Sequence, residues 1–147
     1  MERGFFGFTH CPDVCPITLT VMQEVVEKLK DFKVPQPQTV FVTVDPKRDT
    51  PEIMNQYIGY FNSDFIGVTG ELNQVHQLTQ ALGIVAAFTV HEDDPTAYDV
   101  DHTASMLLID PLGRMRAKLT APHEADSIVT DYVTLLNALE PAQRAAL

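Results

Sequence analysis

The chain has 147 residues, 45% of them hydrophobic, with 20 acidic against 10 basic side chains and a formal net charge of -10. That length suits one ordinary domain spanning residues 1–147, and the acidic balance repels phosphate backbones, so nucleic acid is not expected as a partner. No apolar run approaches the roughly 18 residues that cross a bilayer, and MERGFFGF lacks the long apolar stretch of a signal peptide, so the chain is expected to be soluble as it stands.

In chain order, a short apolar run from Gly4 to Phe8 predicts a strand, followed by a cysteine loop. Residues Ile17 to Phe32 then show helical spacing at Leu19, Met22, Val26 and Leu29. PQPQ breaks the pattern, and the β-branched run Thr39 to Val44 predicts a buried strand. A second helix is predicted with Thr50 as N-cap and Pro51 at its first position, running to about Phe61. Phe65 to Val68 predicts a short strand, and Glu71 to Leu82 a helix closed by Gly83 in the left-handed conformation. From Ile84 to Val100 the pattern is that of a hairpin-like excursion with a solvated acidic turn, HEDDPT. A strand from Ala104 to Ile109, a DPLG turn, an antiparallel return from Met115 to Leu119 and a helix from Ala125 to Leu139 complete the pattern, with EPAQRAAL expected to fray. The alternation predicts an α/β, thioredoxin-like sandwich with a central mixed sheet flanked by helices.

Chemistry concentrates in THCPDVCP. Pro16 suits the first turn of a helix and disfavours helical geometry at Cys15, which places Cys15 near the N-cap and Cys11 in the loop before it. Helix N-termini stabilise thiolate over thiol, so both sulfurs are expected to be primed for metal binding or thiol exchange. Four positions apart, they would close too small a disulfide loop to staple the fold. A pair of buried, inert cysteines is the plainer alternative. Two chemical readings remain open at this point, a redox dithiol of Cys11 and Cys15 and a soft-metal site.

A metal site needs a third ligand, and five histidines compete. His10 adjoins Cys11 but adjacent side chains point apart, so it is expected to tune the thiolate from beside it. His76, His91 and His123 are expected to be solvated. His102 precedes the apolar strand TASMLLID, and by fold analogy the loop entering this strand faces the cysteine loop. On alternation alone it is equally a half-buried strand-end histidine.

FFGFTHCPDVCP, FVTVDPKRDTP and YDVDHTASMLLIDPLG, in this order, resemble the three sequence hallmarks of the Sco (SenC/PrrC) family of copper-binding proteins. Matched residue by residue, Cys11 and Cys15 fall on the family's copper-binding cysteines and His102 on its copper-binding histidine. The resemblance implies a thioredoxin-like fold, binding of Cu(I) and Cu(II), and a part in assembling the CuA centre of cytochrome c oxidase. Its partners would be the copper-bearing subunit of that oxidase and other copper carriers. It also implies a membrane-anchored protein at the periplasmic face of the inner membrane or in the intermembrane space. A thiol-disulfide oxidoreductase and a redox or copper sensor remain alternatives on the same cysteine pair. Against the enzyme, the position where such folds carry a cis-proline reads DHTAS.

Beside the ligands, Asp13 lies within the cysteine loop, and Asp45 and Arg48 lie in the rigid turn DPKRDTP. For that turn, which includes Asp49, a structural role is the first expectation; the alternative makes Asp45 and Arg48, with His10 and Asp13, the candidates to adjust the field around the thiolates. The family carries further strands and an anchor ahead of the cysteine loop, whereas ten residues precede Cys11 here. The amino-terminal strands are therefore expected to be truncated, with GFFGF leaving its neighbours unpaired and open to self-association.

Overall fold

The computed structural model describes residues 1–91, 94–102 and 104–139. Seven strands and four helices follow one another among these residues. The first strand, β1 (Glu2–Gly7), is followed by α1 (Val14–Asp31), β2 (Gln38–Thr43), α2 (Pro51–Phe61), β3 (Ile66–Val68) and α3 (Leu72–Ala81). A hairpin of β4 (Ala86–His91) and β5 (Asp94–His102) precedes β6 (Ser105–Ile109), β7 (Met115–Thr120) and α4 (Ala125–Ala138).

Five strands form one sheet in the order β3-β2-β1-β6-β7, while β4 and β5 pair as a separate ribbon. β1 runs parallel to β2 and antiparallel to β6, so the sheet is mixed, as the sequence pattern predicts. Being central and partly parallel, β1 and β2 carry buried apolar side chains on both faces. Alternation sends Phe5 and Phe41 to a core shared with Leu19 and Met22 of α1, Met54 and Ile58 of α2, and Tyr132 of α4. Phe6 and Val42 face the other way, into a second cluster closed by Ile84, Val100 and Leu107.

The expectation of unpaired neighbours around GFFGF is corrected here. β1 is six residues long, lies in the middle of the sheet and pairs with β2 along its whole length, from Glu2 opposite Gln38 to Gly7 opposite Thr43. On its other side it pairs with β6 from Glu2 opposite Ile109 to Phe5 opposite Met106. β1 itself therefore has ladder partners on both sides, β2 along its whole length and β6 over Glu2 to Phe5.

Local chemistry sets several boundaries. The Thr50 side chain accepts the Ile53 N–H at 3.4 Å and Pro51 opens α2, as predicted. α3 starts with a reciprocal capping box between Glu71 and Gln74 and ends at Gly83, whose φ of +64° is the left-handed geometry a side chain would resist. α1 starts slightly ahead of its prediction: it begins at Val14 with Asp13 as N-cap, so Cys15, expected near the N-cap, is the second helical residue. Pro16 thus sits in the first turn, where backbone N–H groups have no intrahelical acceptor and its missing donor costs nothing. The expected excursion from Ile84 to Val100 is the β4–β5 ribbon, which pairs Ala86 with His102 and Phe88 with Val100. The predicted fraying of EPAQRAAL falls on residues 140–147, outside the described residues.

Candidate metal centre

Three elements meet where β1 ends. The Cys11 N–H donates to the Phe8 carbonyl at 3.2 Å, which turns the chain sharply out of the strand. The Cys15 N–H, an unpaired donor of the first helical turn, donates to Cys11 Sγ at 3.4 Å, so the Cys11 sulfur sits at the helix N-terminus. The β4–β5 ribbon delivers His102 from the other side, with Nε2 3.5 Å from Cys15 Sγ. One ligand atom from each of Cys11, Cys15 and His102 lies within 4.8 Å of the others. Two sulfurs and one imidazole nitrogen form a donor set suited to copper and other soft or borderline ions.

Burial grades these ligands. Cys15 is fully buried, whereas Cys11 and His102 are half-buried. Both cysteines are free thiols. The expectation that the helix terminus primes both as thiolates is not met at Cys15. Burial is the largest influence and pushes its thiol well up; the hydrogen bond with Cys11 adds to this, and the Phe8 backbone opposes it only in part. A metal ion at this site therefore displaces a proton from Cys15. His102 is held edge-on between two rings, Phe5 at 6.1 Å and Phe8 at 5.8 Å between centroids.

The sequence profile of the SCO1/SenC family matches residues 4–137. This chain belongs to that family. A SCO2-like protein of Rickettsia felis is 41% identical over 110 residues, covering 75% of this chain and 53% of that protein. The chain spans about half the length of the curated relatives it matches. Among solved structures, Arabidopsis thaliana ScoI with copper bound aligns with a TM-score of 0.87 at 30% identity, over 94% of this chain and 84% of that one. Yeast Sco1 with copper bound aligns with a TM-score of 0.86 at 27% identity, over 99% and 80%.

Within this SCO1/SenC fold, the residues expected to tune the ligands separate into two groups. Asp13 is exposed and its side chain caps no N–H; it contributes a backbone carbonyl to Ile17 N–H at 3.2 Å. The structure does not bring its carboxylate to the sulfurs. Asp45 is buried and pairs with Arg48 Nε, and the Arg48 guanidinium stands 6.0 Å from the centre of the Phe8 ring. The same Phe8 ring packs against His102, so Phe8 stands between this pair and the histidine. His10 is exposed beside Cys11, with Nδ1 3.1 Å from the Thr9 hydroxyl and 4.0 Å from Asp49.

His76 is exposed as expected, and the His91 side chain falls outside the described residues. His123 is a correction: both its ring nitrogens are shielded from solvent, and burial lowers its pKa despite the nearby Ala104 backbone. Sequence reasoning passed over Gly7 and Tyr57 and took Asp49 only as part of the rigid turn. At Gly7 an added Cβ would stand 2.6 Å from Cys15 Sγ. Asp49 is fully buried and bonded to Thr9. The Tyr57 hydroxyl is buried without a hydrogen-bond partner, and burial, reinforced by Cys15 and Cys11 nearby, pushes it up. The legible signal for Gly7 and Asp49 was THCPDVCP with its preceding glycine and DPKRD with its second aspartate.

Proposed function

We propose that this domain binds one copper ion, as Cu(I) or Cu(II), through Cys11, Cys15 and His102, and passes it on during assembly of the CuA centre of cytochrome c oxidase. The observation that carries the reading is the convergence of those three ligand atoms within 4.8 Å, with the histidine arriving from a different part of the chain. The copper-bound Arabidopsis thaliana and yeast structures support it through fold and family. The unequal burial suits a carrier. Copper meets half-buried Cys11 and His102, and release needs exchange of ligands at an accessible edge.

The recipient is the copper-bearing subunit of the oxidase or another copper carrier, and the whole protein works at the periplasmic face of a membrane or in the intermembrane space. No helix among the described residues is long and apolar enough to cross a membrane. The oxidoreductase reading uses the same two free thiols but leaves the converging His102 nitrogen without a role.

The deciding measurement is copper stoichiometry and affinity of the reduced chain, beside its disulfide-reductase turnover. Wild type is expected to hold one copper without turnover. Cys15→Ser is expected to abolish tight binding and His102→Ala to weaken it. Undiminished affinity in Cys15→Ser, or steady turnover without copper binding, would overturn the proposal.

A further inference from the structure

The turn between β2 and α2 contains a buried carboxylate that touches no copper ligand. Asp49 is fully buried. Its Oδ2 accepts the Thr9 backbone N–H at 3.0 Å and the Thr43 hydroxyl at 2.6 Å, while Oδ1 accepts the Thr9 hydroxyl. Hydrogen bonds to a carboxylate are about twice as strong as neutral ones, and a shielded set of three is costly to break.

The direction of these bonds is fixed by proton supply. The Thr43 hydroxyl accepts the Asp45 N–H at 2.9 Å, so its one proton goes to Asp49. The Thr9 hydroxyl likewise commits its proton to Asp49, and at 3.1 Å it is left to accept from His10 Nδ1. Asp49 therefore orders Thr9 directly and His10 through Thr9. These are the two residues immediately ahead of Cys11.

Among the described residues, Cys11 has its own ties in the 3.2 Å bond to the Phe8 carbonyl and the 3.4 Å contact of its sulfur with the Cys15 N–H. Both are long. The firm anchorage of the path into Cys11 is at Thr9, and it comes from a segment 40 positions away.

Resting on the copper reading above, we propose that Asp49 is a positioning residue for the copper centre: by clamping Thr9 it sets where Cys11 stands relative to Cys15 and His102. It touches no ligand atom, so its effect runs through the backbone of the loop. Groups that orient metal ligands without touching the metal are typically worth about 10–100-fold in affinity.

The test uses the full reduced chain and three readouts: thermal midpoint, copper affinity by chelator competition, and the Cu(II)–thiolate absorption band. Thr9→Val removes the hydroxyl while keeping the β-branched shape, Thr9→Ser restores the hydroxyl, and Asp49→Asn weakens all three bonds. Asp110→Asn is the structural control, a buried carboxylate at the opposite end of the sheet whose hydrogen bonds close its own turn and which also faces Arg116 of β7 at 3.9 Å.

Thr9→Val and Asp49→Asn are expected to lose about tenfold or more in copper affinity and to shift the absorption band, with Thr9→Ser close to wild type. Asp110→Asn is expected to lower the thermal midpoint and leave both copper readouts alone. The proposal is overturned if Thr9→Val and Asp49→Asn behave like Asp110→Asn, less stable but with unchanged affinity and band. Should Asp49→Asn fail to fold, the Thr9→Val and Thr9→Ser pair decides alone. Absence of copper binding in wild type would remove the copper reading and this proposal together, whereas unresponsive variants of a copper-binding wild type remove only the proposal.

Discussion

Asp49, where β1 and β2 finish, takes hydrogen bonds from Thr9, 40 positions away, whereas Asp110, at the other end of the sheet, takes its own from Leu112 and Arg114 within four. Both carboxylates are buried and both are well supplied with donors. The difference lies in what they join. A local set closes a turn and adds stability, while a long-range set holds two separate loops at a fixed distance. A site assembled from distant segments needs the second kind. The same end of the sheet leaves two sulfurs and an imidazole facing one another, and the opposite end gathers no comparable ligand group among the described residues.

Substitutions at the two ends of β1 should separate these roles. The largest effect is expected from Gly7→Ala. The new Cβ would stand 2.6 Å from Cys15 Sγ and 2.9 Å from the Phe41 ring, and both neighbours are fully buried and cannot retreat. Overpacking of this kind costs about 1–3 kcal/mol. It also drives the Cys15 sulfur from its seat between Cys11 and His102. Copper affinity should collapse, and urea unfolding should show the stability loss. Gly4→Ala, three positions earlier in the same strand with nothing within 4 Å of the added carbon, should do neither. Equal copper affinity in the two variants would mean that the close fit around Cys15 is dispensable.

At the far end the structure holds a charge it does not fully accommodate. Arg3 is completely buried, donates one hydrogen bond to the Thr39 hydroxyl at 2.6 Å, and leaves Nε and Nη1 without partners. Burial is the main cause that lowers its pKa to about 10. Its folded value lies below its unfolded value, so the penalty on folding is fully present below about pH 10 and fades above it. Arg3→Met keeps the length of the side chain and removes the unsatisfied donors. A gain of about 1–3 kcal/mol in unfolding free energy at neutral pH is expected. Copper affinity should stay unchanged, because Arg3 lies away from the ligands. A destabilised Arg3→Met would show that the guanidinium is better compensated than its contacts indicate.

These contrasts also mark what the sequence makes legible. Elements whose boundaries depend on neighbours in the chain were readable: Thr50 and Pro51 opening α2, Gly83 closing α3, and the alternation of Phe5 and Phe6 in a strand. The cysteine pair was readable for the same reason. His102 joins Cys15 across 87 positions, and no local periodicity carries such a separation; the family motifs and the fold analogy pointed to it. Three features were hidden because they depend on strand order or depth. The central place of β1 reversed the expectation of an open edge, and the full burial of Cys15 reversed the expected effect of the helix terminus on its thiol. Within DPKRD, Asp45 and Arg48 drew attention as neighbours of the strand end, yet Asp49 is the residue whose position reaches Thr9.

The smallest expected effect belongs to Asp110 and sharpens the comparison through pH. Desolvation is the strongest single influence and raises its pKa, but the Arg114 side chain, the Arg114 and Leu112 N–H groups and the Arg114 charge together outweigh it, so the net shift is downward. A carboxyl with a lowered folded value binds fewer protons folded than unfolded. Its contribution is therefore complete above the unfolded value of 3.8 and is lost as pH falls through the lower folded one. Asp110→Asn should remove that part of the acid sensitivity, so that the stability difference from wild type is constant above pH 5 and narrows toward pH 3. Because the partners of Asp110, Leu112, Arg114 and Arg116, all lie at its own end of the sheet, copper affinity at neutral pH should not follow. A parallel loss of copper affinity in Asp110→Asn would show that the two ends of the sheet are coupled, and the distinction between a turn-closing carboxylate and a loop-clamping one would fail.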